Sequence, residues 1–199
     1  NTPTQAALAV EMPANIQAST AEQLAAHILS PVAAASTETN LQPVDVIIPV
    51  YRGLADTQRS ITSVLQHMPL LQTPMQLIVI NDASPEPELS SWLRDIAAQE
   101  PRLQLLENDP NLGFVGTCNK AMALNPSHDI LLLNSDTEVS NNWLDKLRAT
   151  AYRHTNTGSV TPLSNNATIC SYPKFCAANS MPEGLDTATL DSLCAAVNA

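Results

Sequence analysis

The chain has 199 residues, of which 44% are apolar, and nine basic against 19 acidic side chains leave a net charge of −10. That length suits one full α/β domain or two small ones. Nine scattered cations cannot form the clustered basic surface that a nucleic-acid backbone requires, which excludes nucleic acid as a partner but not a single nucleotide, which needs only a few donors and a metal. Cys118, Cys170, Cys176 and Cys194 show no C-x-x-C spacing and no partnering histidines. They imply neither a zinc site nor a disulfide framework, and are expected as small buried residues of a reduced, cytoplasmic protein. No run approaches the ~18 apolar residues of a membrane span, and no basic segment followed by an apolar one marks a leader, so membrane association is not indicated.

Residues 1–42, rich in Ala, Thr, Gln and Pro, read as a linker or tail. Within them Thr20–Leu29 predicts a short helix, with Thr20 as cap, Gln23 at the capping-box position and Leu24 and Ile28 on one face. Residues 43–199 form the domain. Five short apolar runs predict strands: Val44–Val50, Met75–Ile80, Leu103–Leu106, Asp129–Asn134 and Gly158–Leu163. Continuous runs of this kind suit strands covered on both faces.

Helical faces alternate with them. Leu54, Ile61, Val64, Leu65 and Met68 form the first; Leu89, Trp92, Leu93 and Ile96 form the second, with Ser84 as cap and Pro85 in its first turn. Phe114, Val115, Cys118, Ala121 and Met122 make a third, Trp143, Leu144, Leu147 and Ala151 a fourth, and Leu190, Leu193, Cys194 and Val197 a last. The order β-α-β-α-β-α-β-α-β predicts an α/β fold with a doubly wound, mostly parallel sheet.

Ligands of such sheets bind at the carboxyl ends of the strands. After the first strand comes PVYRGLADT, whose single glycine, Gly53, excludes a G-x-G-x-x-G turn and a phosphate-binding P-loop. Tyr51 offers a ring to stack on a base and Arg52 a cation for a phosphate; equally, Tyr51 suits packing on the first helix and Arg52 a solvated loop. Asp82 at the second tip can accept an N–H from a nucleobase or can cap its own turn. At the third tip Asn111 and Gly113 open a helix whose N-terminus favours an anion, with Asn119 and Lys120 one turn on; an Asn cap with close-packed glycines explains the same residues. The fourth tip, LLLNSDTEV, carries Asn134, Ser135 and Asp136. Oxygen ligands two residues apart at the end of a buried strand can hold a hard cation, magnesium or manganese, against a diphosphate.

In order, DVIIPVYRG, VINDAS, NLGFVGTCNKA and LLLNSDTEV resemble the family 2 glycosyltransferases of the GT-A fold, over about Val44 to Pro173. The resemblance implies transfer of a sugar from a nucleoside-diphosphate donor to a glycan or other acceptor, inverting and metal-assisted, as in bacterial polysaccharide and rhamnosyl transferases. It places Pro49, Tyr51 and Asp82 around uracil or thymine, hence a UDP or dTDP donor, and sets the family's D-x-D motif on Asn134, Ser135 and Asp136. Asn134 replaces the first carboxylate, leaving Asp136 as principal metal ligand. TPLSNNATICSYP looks like the loop that approaches sugar and acceptor in such enzymes.

The family's general base lies in a C-terminal half beyond a further strand. After Pro173 only Glu183, Asp186 and Asp191 are acidic. Asp186 reads as a helix cap and Asp191 as an exposed helix position, so neither is expected as the base. With no methionine at position 1, both ends are expected to be cuts in a longer protein with further domains. The alternative is a non-catalytic nucleotide-sugar-binding or scaffolding module of a polysaccharide-assembly protein. A nucleotidyltransferase is disfavoured, since it would need a glycine-rich basic loop after the first strand.

Overall fold

The computed structural model describes residues 42–197. The tail expected at residues 1–42, with its helix at Thr20–Leu29, therefore lies outside the described residues but for Gln42.

Four strands form an all-parallel sheet: β1 (Val44–Val50), β2 (Met75–Asn81), β3 (Leu103–Glu107) and β4 (Asp129–Leu132), in spatial order β3-β2-β1-β4. Helices α1 (Leu54–His67), α2 (Pro87–Gln99) and α3 (Gly113–Met122) connect them, and α4 (Trp143–Ala151) and α5 (Thr187–Val197) follow. The chain runs outward from β1 to β3, then jumps back across β1 to β4. Right-handed crossovers place helices of the outward and return connections on opposite faces.

Alternation along each strand divides the core accordingly. Val44, Val46, Ile48 and Val50 of β1, with Leu77 and Val79 of β2, meet Ile61 and Val64 of α1, Leu89 and Leu93 of α2, and Trp143 and Leu144 of α4. Ile47, Ile78 and Ile80 point the other way, onto Ala121 and Met122 of α3. A strand that must be apolar on both sides has no polar alternation, which is why these runs are continuous in the sequence. Within β1 the polar exception is Asp45, fully buried and bonded to the His128 ring at 2.7 Å and the Asn125 amide at 2.9 Å. This cluster lies at the amino-terminal end of β1, away from the strand tips.

Several expectations need correction. Gly158–Leu163 forms no strand. Only Val160 and Leu163 of that run are aliphatic, Pro162 has no N–H for a ladder, and Leu163 stands in solvent. Helix α2 starts at Pro87 rather than Pro85, and Ser84 accepts the Glu86 N–H at 3.1 Å, closing the preceding turn instead of capping the helix. Of the four cysteines only Cys118 is buried; Cys176 is exposed on a loop. Asp186 does cap α5, accepting the Thr189 N–H at 2.7 Å, but Asp191 is half-buried and held by Lys146 at 2.6 Å. Among the described residues no helix is long and apolar enough to cross a membrane.

Candidate functional site

The ladder between β1 and β4 ends early. Leu133 donates its N–H to the Ile47 carbonyl at 2.9 Å; the next rung on that side would need an N–H from residue 49, which is proline. On the other side pairing with β2 continues through Val50, whose carbonyl accepts the Asp82 N–H at 2.8 Å. The tips of β1 and β4 therefore separate where the connections reverse direction, the switch point at which open parallel sheets bind ligands.

The gap is a cleft of about 330 Å³ lined by Pro49, Tyr51, Arg52, Asp56, Phe114, Asn134, Ser135 and Asp136. Pro49, Tyr51, Arg52, Asn134, Ser135 and Asp136, from two motifs about 85 residues apart in sequence, are brought together here, as the strand-tip rule expects. The Arg52 guanidinium lies 5.5 Å from the Tyr51 ring centre. Gly53 follows with φ +92°, a left-handed turn suited to glycine, and its N–H is held by Glu86 at 3.0 Å. The loop after β1 is thus tied to the loop after β2.

Asp82, Asn111, Gly113 and Asn119 do not line this cleft. Asp82 is 3% exposed and collects donors: Asn108 and the Leu112 N–H reach Oδ1, both at 2.8 Å, and Asn111 reaches Oδ2 at 3.0 Å. Burial pushes its carboxyl up, but hydrogen bonds from Leu112, Asn108, Thr117 and Gly113 outweigh that and hold it below its ordinary value of 3.8. Asn111 accepts the Gly113 N–H at 3.1 Å in a local turn; Gly113, at φ +71°, begins α3, and Asn119 is exposed one turn later. Lys120 reaches back to Asn108 at 2.6 Å, extending the same network.

Two cleft residues escaped the sequence reading. Phe114, expected on the buried face of α3, is 54% exposed and forms one wall. It occupies the first turn of a helix that starts at the strand tips, so its ring stands beyond the sheet. Asp56 enters the cleft from the first turn of α1, the position where helix dipoles favour acids; that cue was in the sequence.

The oxygen set of Asp136, Asn134 and Ser135 fits a hard divalent cation. Among the described residues no cluster of three His, Cys, Asp or Glu side chains could hold a metal by itself. The cleft lining itself carries two carboxylates, Asp56 and Asp136, so a divalent cation placed there could take protein oxygens from these and from Asn134 and Ser135, with further oxygens from a diphosphate.

A model of the family described as glycosyl transferase family 2 matches residues 45–165. Among curated proteins the chain is similar to a Drosophila melanogaster protein provisionally named polypeptide N-acetylgalactosaminyltransferase 10, at 32% identity over 111 residues, covering 54% of this chain and 18% of that protein. It is also similar to an uncharacterized glycosyltransferase of Haemophilus influenzae, at 26% identity over 108 residues, covering 54% and 32%. Among solved structures it is similar to the mannosyltransferase PcManGT of Pyrobaculum calidifontis in complex with GDP-Man and Mn²⁺, with TM-score 0.48 and 18% identity over 64% of this chain and 37% of that one. The chain thus spans between about a fifth and a third of the length of the curated relatives it matches.

Proposed function

Since the chain belongs to glycosyltransferase family 2, we propose that the cleft between the tips of β1 and β4 binds the diphosphate and sugar of a nucleoside-diphosphate donor. The observation that carries this is the convergence of Asn134, Ser135 and Asp136 with Pro49, Tyr51 and Arg52 on one cleft at the switch point. Tyr51 and Pro49 offer the base a surface to stack on, Arg52 faces the phosphates, and Asp136 with Asn134 holds a magnesium or manganese ion. When bound there, the cation neutralises charge on the departing diphosphate. Asp82 is proposed to accept an N–H of uracil or thymine, favouring UDP or dTDP; at 3% exposure this contact requires the Asn111 loop over its carboxylate to yield to the base.

Transfer is proposed to invert the anomeric centre: a glycan hydroxyl attacks in line as the bond to the diphosphate breaks, and its proton passes to a general base. Asp186 and Asp191 are engaged as a cap and an ion pair, so neither is assigned as that base. On this proposal residues 43–199 are the donor-binding domain and 1–42 a linker.

Thermal unfolding with nucleoside diphosphates and Mn²⁺ tests the donor site. UDP or dTDP with Mn²⁺ should raise Tm more than GDP does, and Asp136→Ala should abolish the metal-dependent part. A folded protein whose Tm responds to no nucleoside diphosphate overturns the proposal.

A further inference from the structure

The buried side of α1 is not uniformly apolar. Beside Ile61 and Val64 it buries Thr57, Ser60 and Ser63, and a buried hydroxyl without a partner is destabilising. Ser60, 1% exposed, directs its Oγ at the Asn134 carbonyl, 3.4 Å away. Ser63, 6% exposed, donates to the Ser60 carbonyl at 2.8 Å and accepts the Val139 N–H at 3.1 Å. Asn134 and Val139 are the two ends of the segment that carries Asp136, and the Thr137 N–H closes its middle on the Asn134 carbonyl at 3.1 Å.

We infer that Ser60 and Ser63 are positioning residues for the cation site: α1 clamps the Asn134–Val139 turn at both ends and so sets where the Asp136 carboxylate stands. The inference rests on the donor-site reading above. The ladder to β1 has ended by this point, so among the described residues no strand pairing holds the turn, and buried bonds to α1 help to hold it. The Val139 N–H is the sensitive member. Val139 is in the core, so an N–H deprived of Ser63 has no water to turn to. A ligand held by one flexible carboxylate depends on this outer shell, because each ångström of freedom at Asp136 is freedom in the cation.

Thr57 supplies the internal comparison. It is buried on the same helix, yet its Oγ1 finds no partner among the described residues. It can serve stability but cannot hold the turn.

The test titrates Mn²⁺ at a fixed UDP concentration, reading nucleotide binding, on the full chain and three variants whose Tm is also recorded. Ser63→Ala should raise the Mn²⁺ midpoint about tenfold, the lower end for the outer shell of a metal ligand, while UDP binding without metal stays unchanged. Ser63→Thr, which keeps the oxygen, should restore the midpoint, and Thr57→Val should leave it at the wild-type value whatever its Tm. A wild-type midpoint in Ser63→Ala, or an equal rise in Thr57→Val, overturns the clamp alone. Wild-type protein without Mn²⁺-dependent UDP binding overturns the donor site and the clamp together.

Discussion

The backbone N–H of Leu112 donates to Oδ1 of Asp82 at 2.8 Å, joining the loop before α3 to the tip of β2 across 30 residues of sequence. Because Asn108 and Asn111 donate to the same carboxylate, one acidic side chain orients everything that leads into α3. Asp82→Asn turns one acceptor into a donor and sets it against a donor already in place. The expected loss is about 2 kcal/mol in urea unfolding, with weaker nucleotide binding. Unchanged stability would show that the network tolerates an amide.

Asp145 makes a second staple, accepting the Thr73 hydroxyl at 2.6 Å, the Thr73 N–H at 2.8 Å and the Gln72 N–H at 3.0 Å, which ties α4 to the turn before β2. Burial raises its carboxyl, but these bonds and the Arg148 charge hold it below 3.8. Asp82 lies below 3.8 as well. A carboxylate whose pKa is depressed by folding stabilises the native state in full above its unfolded value and loses that contribution as pH falls through its folded value. Tm should therefore decline below about pH 4, and Asp145→Asn should flatten the decline while lowering Tm at neutral pH. An unaltered acid slope in Asp145→Asn would refute the assignment.

On the proposed donor site, Asn134 would bring an oxygen to the cation but no charge. Asn134→Asp should tighten Mn²⁺ binding in the absence of nucleotide by about tenfold or more, since affinity for hard cations rises with ligand charge. Isothermal titration with Mn²⁺ alone measures this. A weakened site would mean that the added carboxylate turns away from Asp136.

Phe114 stands in solvent at the cleft wall. Phe114→Ala should move Tm little, as surface substitutions usually change stability by no more than about 0.5 kcal/mol, while UDP affinity falls about fivefold, a loss near 1 kcal/mol. Lost stability with unchanged affinity would assign the ring to the core instead.

Much of the candidate cleft is legible in the sequence. Asn134, Ser135 and Asp136 follow an apolar strand, as Tyr51 and Arg52 do, and the strand-tip rule alone brings the two motifs together. Phe114 departs from its expected burial because the 3.6-residue period that places Cys118 and Ala121 on the sheet says nothing of where the sheet ends beneath the first turn. Ser60 and Ser63 carried no signal at all: serines on a helix read as its wet side, and only the arrival of residues 134–139 against α1 gives them partners.

By itself the sequence determined the order of the elements and the two-sided burial of the central strands. The continuous runs Val44–Val50 and Met75–Ile80 announce strands covered on two faces, because transfer from water acts on each side chain according to its own chemistry, and the succession of strand tips carried the family resemblance. What only the tertiary structure decided is hydrogen-bond partnership. Pro49 opens the cleft because β4 lies on the side of β1 where its missing N–H would have bonded; Asp82 became a hub because the loop before α3 folds over it; Gly158–Leu163 forms no strand because nothing buries it. Each depends on which segments become neighbours across tens of residues. Directional bonds need that knowledge, whereas the burial of the central strands does not.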